Sequence, residues 1–173
     1  MINIKRLRVI PAACLISFIF LTGFSIEEKK DVQNSGQPPE ERAAQEQLRK
    51  SKDTLWDDFA ECKISTTADI MNDRYLYNIT YTPKVKKLEG EEITISGFML
   101  PLEPAEKFKH FLLSRRTPTC AFCPPGQPNE IIDVWTDKPV TWNENIVKVT
   151  GKLKFMENKE LGVFFQLKDA KIN

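Results

Sequence analysis

From Glu91 to the C-terminus, apolar and polar residues alternate in short runs, a pattern typical of strands packed on one side against a core. Five such runs are present, at residues 93–99, 110–114, 131–135, 146–155 and 162–172. The first and the fourth contain Gly97 and Gly151, and a glycine inside a strand often marks a bulge or a bend in a barrel wall. The pattern predicts a mainly β fold, a small five-stranded OB-like barrel, with a β-sandwich as the alternative.

The residues before the barrel predict an N-terminal helical segment. Trp56 and Phe59 are three positions apart, as on one face of a helix, and we expect both to be core anchors. Residues 74–82 alternate and are rich in Tyr, Ile and Thr, which indicates a further strand. Residues 27–52 are charged and poor in large apolar side chains, which predicts a flexible linker that becomes helical from Glu40.

The N-terminus is typical of an export signal. Basic residues precede an apolar run of about 16 residues, which is short for a spanning helix and suits a signal peptide. The predicted division is a signal peptide at 1–25, a charged linker at 26–52 and an OB-like β domain at 53–173. The alternative is an uncleaved anchor, in which case the chain contacts the membrane only through this segment. Both interpretations place the folded domain in the periplasm or otherwise outside the cytoplasm.

Composition narrows the classes of function. Lys and Arg number 25 and Asp and Glu 24, so net charge offers no basis for binding nucleic acid, and we expect none. A single histidine, His110, excludes any site in one chain that needs two imidazoles. We find no Ser/His/Asp arrangement, phosphate loop or paired-carboxylate motif. The sequence therefore favours a non-enzymatic protein without excluding an enzyme.

Cys120 and Cys123 form a C-x-x-C pair, and a turn of this length can direct two thiolates at one ion. A zinc site needs four ligands, so His110 and Cys62 are the further candidates, and Met99 is another if the ion is cuprous copper. The pair therefore predicts a zinc or copper site formed by Cys120, Cys123, His110 and Cys62.

Two other interpretations use the same cysteines. Outside the cytoplasm a disulfide can form, within the pair or from Cys62 to one member, and it would staple an interaction surface. A thiol oxidoreductase is disfavoured because the pair leads into Pro124-Pro125 and a strand, whereas thioredoxin-type pairs begin a helix.

Several segments together resemble an exported bacterial family, the domain of unknown function 3299. The resemblance covers about Trp56 to Asn173 and is carried by GFMLPLE at 97–103, FLL at 111–113, Cys120, the prolines at 124–125 and PNE at 128–130. It implies the architecture and the exported location, and it carries no established activity.

One departure from this family's pattern favours metal binding over a disulfide. Many relatives have a histidine two places after the first cysteine, where this chain has Phe122 followed by Cys123. Cysteine and imidazole are interchangeable as ligands of zinc and copper but not in a disulfide. We therefore expect a metal-binding domain in envelope metal transport or delivery, with an envelope protein or transporter as partner. The alternative is a disulfide-stapled interaction module.

Two further pairs of residues are weaker candidates. Arg115 and Arg116 beside the cysteine loop could hold an anion or a partner's carboxylate, or could be solvated charges at a strand end. Trp135 and Trp142 are expected to pack, but they would offer a binding face of an OB barrel if they were exposed.

Overall fold

The computed structural model describes residues 39–51, 55–117 and 126–173. The expected signal peptide, Cys120 and Cys123 lie outside these described residues. The helices are α1 (Pro39–Lys50), α2 (Leu55–Ala60) and α3 (Pro83–Lys86). The strands are β1 (Lys63–Asp69), β2 (Arg74–Thr80), β3 (Glu92–Pro101), β4 (Lys107–Ser114), β5 (Ile131–Thr141), β6 (Val147–Asn158) and β7 (Val163–Ile172).

Five strands close into a barrel in the order β3-β4-β5-β7-β6, with β6 pairing back to β3. All neighbours are antiparallel except β5 and β7, which are parallel. The predicted five-stranded OB-like barrel is confirmed. The strand predicted at 74–82 is present as β2, paired with β1 in a separate hairpin. Strand β1 was not predicted, because its polar sequence KISTTAD has no apolar alternation and leaves most of the strand exposed.

Helix α2 packs against the barrel core. Its Trp56 and Phe59 are both buried, as the spacing predicts, and they join the interior side chains of the strands in one hydrophobic cluster. The Trp56 indole Nε1–H donates to the Ser96 carbonyl at 2.6 Å, and the Phe59 ring stacks on Phe165 with centroids 4.3 Å apart. The helix is therefore held by both a specific hydrogen bond and aromatic packing.

Both strand glycines are sites of close approach between strands. A Cβ atom at Gly97 would lie 2.7 Å from the Ser114 carbonyl oxygen, and one at Gly151 would lie 3.0 Å from that of Lys168. Opposite Gly151 the pairing of β6 with β7 shifts register, and Asp169 adopts a left-handed backbone with φ of 52°. Strand β7 is thus bulged at this point.

Helix α1 confirms the helical segment expected from Glu40, and it also packs on the barrel. Leu48 is buried, and the Gln45 side chain donates to the Arg115 carbonyl at 3.0 Å and accepts from the Thr117 amide at 3.2 Å. Within the part of the chain that the structure describes, no helix has the length and apolar character needed to cross a membrane.

Candidate functional site

The cysteine loop connects β4 to β5, and the described residues at its two ends form a rigid base. The Glu130 carboxylate is buried and accepts from Arg116 twice, at 2.9 Å from Nε and 3.2 Å from Nη2. It also accepts from the Gln127 amide at 3.1 Å, while the Arg115 amide donates to the Glu130 carbonyl at 3.0 Å. Bidentate pairing to a buried carboxylate holds the two ends of the loop together.

The same base is tied to the N-terminal helices. Asn129 donates from Nδ2 to the carbonyls of Ala60 and Cys62, at 3.2 and 3.0 Å. Arg115 reaches Asp57 with Nη2 at 2.6 Å. The two arginines are thus engaged within the chain, which leaves them less available for the anion that the sequence suggested.

His110 lies on the outer face of the barrel, in a polar cluster that we call the Asp133 cluster, made of His110, Asp133, Trp135 and Gln166. The buried Asp133 carboxylate accepts three hydrogen bonds: from His110 Nε2 at 2.5 Å, Trp135 Nε1 at 2.8 Å and Gln166 Nε2 at 2.7 Å. The His110 and Trp135 rings stack with centroids 4.0 Å apart and 16° between planes. Each side chain is therefore held in one orientation.

Strand register explains why this cluster forms. His110 is paired with Trp135 across β4 and β5, and Asp133 is paired with Gln166 across β5 and β7. Residues two apart on a strand share a face, so Asp133 and Trp135 both point outward while Val134 points into the core. Strand β5 belongs to both pairs, and this places all four polar side chains on three adjacent strands.

The hydrogen bond to Asp133 determines which nitrogen of His110 can bind a ligand. When the Asp133 carboxylate is the acceptor in this hydrogen bond, Nε2 carries the proton and, in the neutral ring, Nδ1 carries the lone pair. Metal-binding histidines commonly donate their second ring N–H to a carboxylate in this way. The pair is therefore suited to present Nδ1 to a metal ion.

Cys62 has a different environment. It is a free thiol, 3% exposed, within the hydrophobic cluster that includes Trp56 and Phe59. Burial raises the pKa of the Cys62 thiol, so this side chain is held in its protonated form. A protonated sulfur is a poor metal ligand, and within the described ranges Cys62 belongs to no group of three or more potential ligands.

The structure does not gather the predicted ligands among its described residues. Within 39–51, 55–117 and 126–173 there is no group of three or more His, Cys, Asp or Glu side chains that could hold a metal ion. His110 is four residues from the end of β4, or about 13 Å along a strand. A metal site with His110 would therefore have to draw ligands from outside the described residues.

Sequence reasoning missed the Asp133 cluster, although a signal was present. The run Ile131-Ile132-Asp133-Val134-Trp135 places a carboxylate and a tryptophan two apart in a strand, and hence on one face. The sequence suggested that Trp135 and Trp142 pack in the core, but they are 46% and 52% exposed. What the pattern could not supply was the partner strands, which come from distant parts of the chain.

Comparison with known proteins gives a family and one solved structure. The profile of a family described as "Protein of unknown function (DUF3299)" matches residues 26–172. A DUF3299 family protein from Pseudomonas aeruginosa PAO1, known from a crystal structure at 2.45 Å resolution, is 27% identical; the match covers 56% of this chain and 68% of that chain, with a TM-score of 0.44. No curated protein matches the sequence significantly.

Proposed function

Because the chain belongs to the DUF3299 family of proteins of unknown function, we propose a role from its own residues. The protein is an exported, non-enzymatic OB-like domain that binds zinc or cuprous copper through Cys120 and Cys123, in metal transport or delivery at the cell envelope. The observation that supports this most strongly is that the cysteine loop joins the two strands carrying His110 and Asp133.

The chain length permits His110 to serve as the third ligand. Five residues lie between Ser114 and Cys120, and seven lie between Cys123 and Ile131. Extended chain reaches about 3.3 Å per residue, so either arm can cover the roughly 13 Å back to His110. The orientation of its ring by Asp133 removes part of the entropy cost of binding.

The loop base adds support from rigidity. The Arg116–Glu130 pair and the hydrogen bonds to α1 and α2 hold the two ends of the loop at a set separation. Pro124 and Pro125 restrict the backbone further on the exit side. Fewer conformations of the empty loop mean a smaller entropy loss when two sulfurs close on one ion.

Two cysteines and one histidine fill three positions of a tetrahedral zinc ion. The fourth position would stay open to water or to a ligand from another protein, as the fourth position of catalytic zinc sites is open to water or substrate. An open position suits a protein that accepts an ion and passes it on. Cuprous copper is satisfied by fewer ligands and fits the same set.

Metal analysis of protein exported into an oxidising compartment and purified without chelator tests the proposal. We expect about one equivalent of zinc or copper per chain, lost in Cys120→Ser and Cys123→Ser. Cys62→Ala is the matched control, because its thiol is buried, and it should keep the metal. Metal far below one equivalent, with Cys120 and Cys123 both oxidised in denatured protein, would contradict the proposal.

A disulfide-stapled interaction module is the second candidate, and one feature favours it. The turn between β1 and β2 leaves Ile70 and Met71 90% and 93% exposed, with Tyr75 also exposed nearby. Exposed apolar side chains grouped at a hairpin tip commonly mark a contact with another protein. Under this function, Cys120 and Cys123 give no free thiol after denaturation, and chelators leave stability unchanged.

A further inference from the structure

Beside the Asp133 cluster a groove of about 400 Å³ runs along β5 and β7. It is lined by Trp135, Thr136, Asp137, Gln166, Lys168 and Asp169. This volume is within the range of small-molecule sites, about 300–1,000 Å³. The groove adjoins the outer face of β4 and β5, the second and third strands of the barrel, where OB folds commonly bind their ligands.

Trp135 forms one wall of the groove as a fixed aromatic platform. One face of its ring is covered by His110 from β4, and its Nε1 is bonded to Asp133. Strand β7 lies on the opposite side of β5, so the uncovered face is turned toward Gln166 and Lys168. A half-exposed indole that is already oriented loses little entropy when a flat ligand stacks on it.

The bulge in β7 supplies polar groups to the same groove. In a regular strand, consecutive residues point to opposite faces, yet Lys168 and Asp169 both line this groove. The register shift around Asp169, with its left-handed backbone, accounts for this. In proteins generally, non-glycine residues seldom adopt a positive φ, and aspartate is among the types that do so most readily.

The charges in the groove disfavour an anionic ligand. Asp137 and Asp169 face a single cation, Lys168, and the Asp133 carboxylate lies behind Gln166. A phosphate-rich strand would meet more negative than positive groups here. Sugar hydroxyls instead can donate to the carboxylates and accept from Gln166 and Lys168. We propose that this groove binds a neutral oligosaccharide, with one sugar ring stacked on the uncovered face of Trp135.

Titration of the purified protein with chitohexaose, cellohexaose and maltohexaose tests this proposal, which does not depend on the metal proposal. At least one of the three should bind with Kd below about 1 mM. Trp135→Ala should weaken binding by about tenfold or more, as truncation of a central aromatic anchor does. Trp135→Phe keeps a platform and should stay within about threefold of wild type. Trp142→Ala removes a comparably exposed tryptophan outside the groove and should bind as wild type.

A thymidine dodecamer is the competing probe. Its binding would fall steeply with salt, whereas that of a neutral sugar would not. The proposal is overturned if none of the three sugars binds at about 1 mM, if only the dodecamer binds, or if Trp135→Ala binds sugar like wild type. Should Trp135→Ala fail to fold, Gln166→Ala and Asp169→Asn decide the question. The first removes a donor to sugar hydroxyls and the second replaces a charged acceptor by a weaker neutral one, so each should weaken binding severalfold.

Discussion

The Asp133 carboxylate accepts three hydrogen bonds on the outer face of the barrel. Comparing its replacement by alanine and by asparagine separates the stabilisation due to hydrogen bonding from that due to charge. Asp133→Ala removes the acceptor for three donors, from His110, Trp135 and Gln166. Each hydrogen bond to an ionised group stabilises by about 1.5–3 kcal/mol. The His110 and Trp135 side chains are partly exposed, so water replaces part of the loss. We expect the free energy of unfolding to fall by about 2–4 kcal/mol.

Asp133→Asn should cost much less, about 0.5–1.5 kcal/mol. The amide oxygen can still accept from Trp135 and Gln166. Its nitrogen can donate to His110 Nε2, provided that the imidazole proton moves to Nδ1. All three contacts then survive without charge assistance. The same move places a hydrogen on the nitrogen that we propose as a metal ligand, so Asp133→Asn should weaken metal binding while the fold is retained.

Urea unfolding followed by circular dichroism measures the two stabilities, and the ring nitrogen chemical shifts of His110 report the tautomer. Asp137→Asn, an exposed carboxylate on the same strand, is the control and should change stability by less than about 0.5 kcal/mol. The reasoning is refuted if Asp133→Asn lowers the free energy of unfolding as much as Asp133→Ala does. It is also refuted if the His110 proton remains on Nε2 in Asp133→Asn.

Three further predictions concern the barrel and the loop base. Glu130→Gln should lower the free energy of unfolding by about 1–3 kcal/mol, because Arg116 loses the negative charge of its buried partner but stays partly solvated; urea unfolding checks this, and the penalty should shrink in an Arg116→Met background. Gly97→Ala should cost about 1–3 kcal/mol by the same assay, since its Cβ would meet the Ser114 carbonyl; an unchanged midpoint would show that β3 and β4 separate easily. Burial raises the pKa of the Cys62 thiol. The stability that this thiol contributes is therefore present below the ordinary thiol pKa and is lost as the pH rises through the raised pKa. Wild type should therefore lose stability above about pH 9 relative to Cys62→Ala, and parallel pH profiles would contradict this.

The two proposed functions use neighbouring but separable parts of one face. The metal proposal depends on the loop cysteines and on Nδ1 of His110, whereas the sugar proposal depends on the far side of Trp135 and on β7. Trp135 connects them, since it stacks on His110 and borders the groove. Trp135→Phe retains a stacking ring and should leave the metal content unchanged.

Local pattern was sufficient to predict most of the barrel. The period-two alternation from Glu91 onward reports which side of each strand is buried, because a side chain on a half-buried strand faces either core or water. The spacing of Trp56 and Phe59 likewise predicted a helical face that the structure confirms. Strand β1 was not predicted, because a strand in a hairpin that buries little apolar surface shows little hydrophobic pattern in its sequence.

The amino-acid sequence alone determined the strand faces, the helix that packs on the core, and the chemistry available in Cys120, Cys123 and His110. Only the tertiary structure decided which groups meet. Asp133 gained its three donors because β5 pairs with β4 on one side and with β7 on the other, and Cys62 became a protonated core thiol because α2 packs against the barrel. Contacts between residues far apart in the chain depend on strand order and register, and no local pattern encodes these.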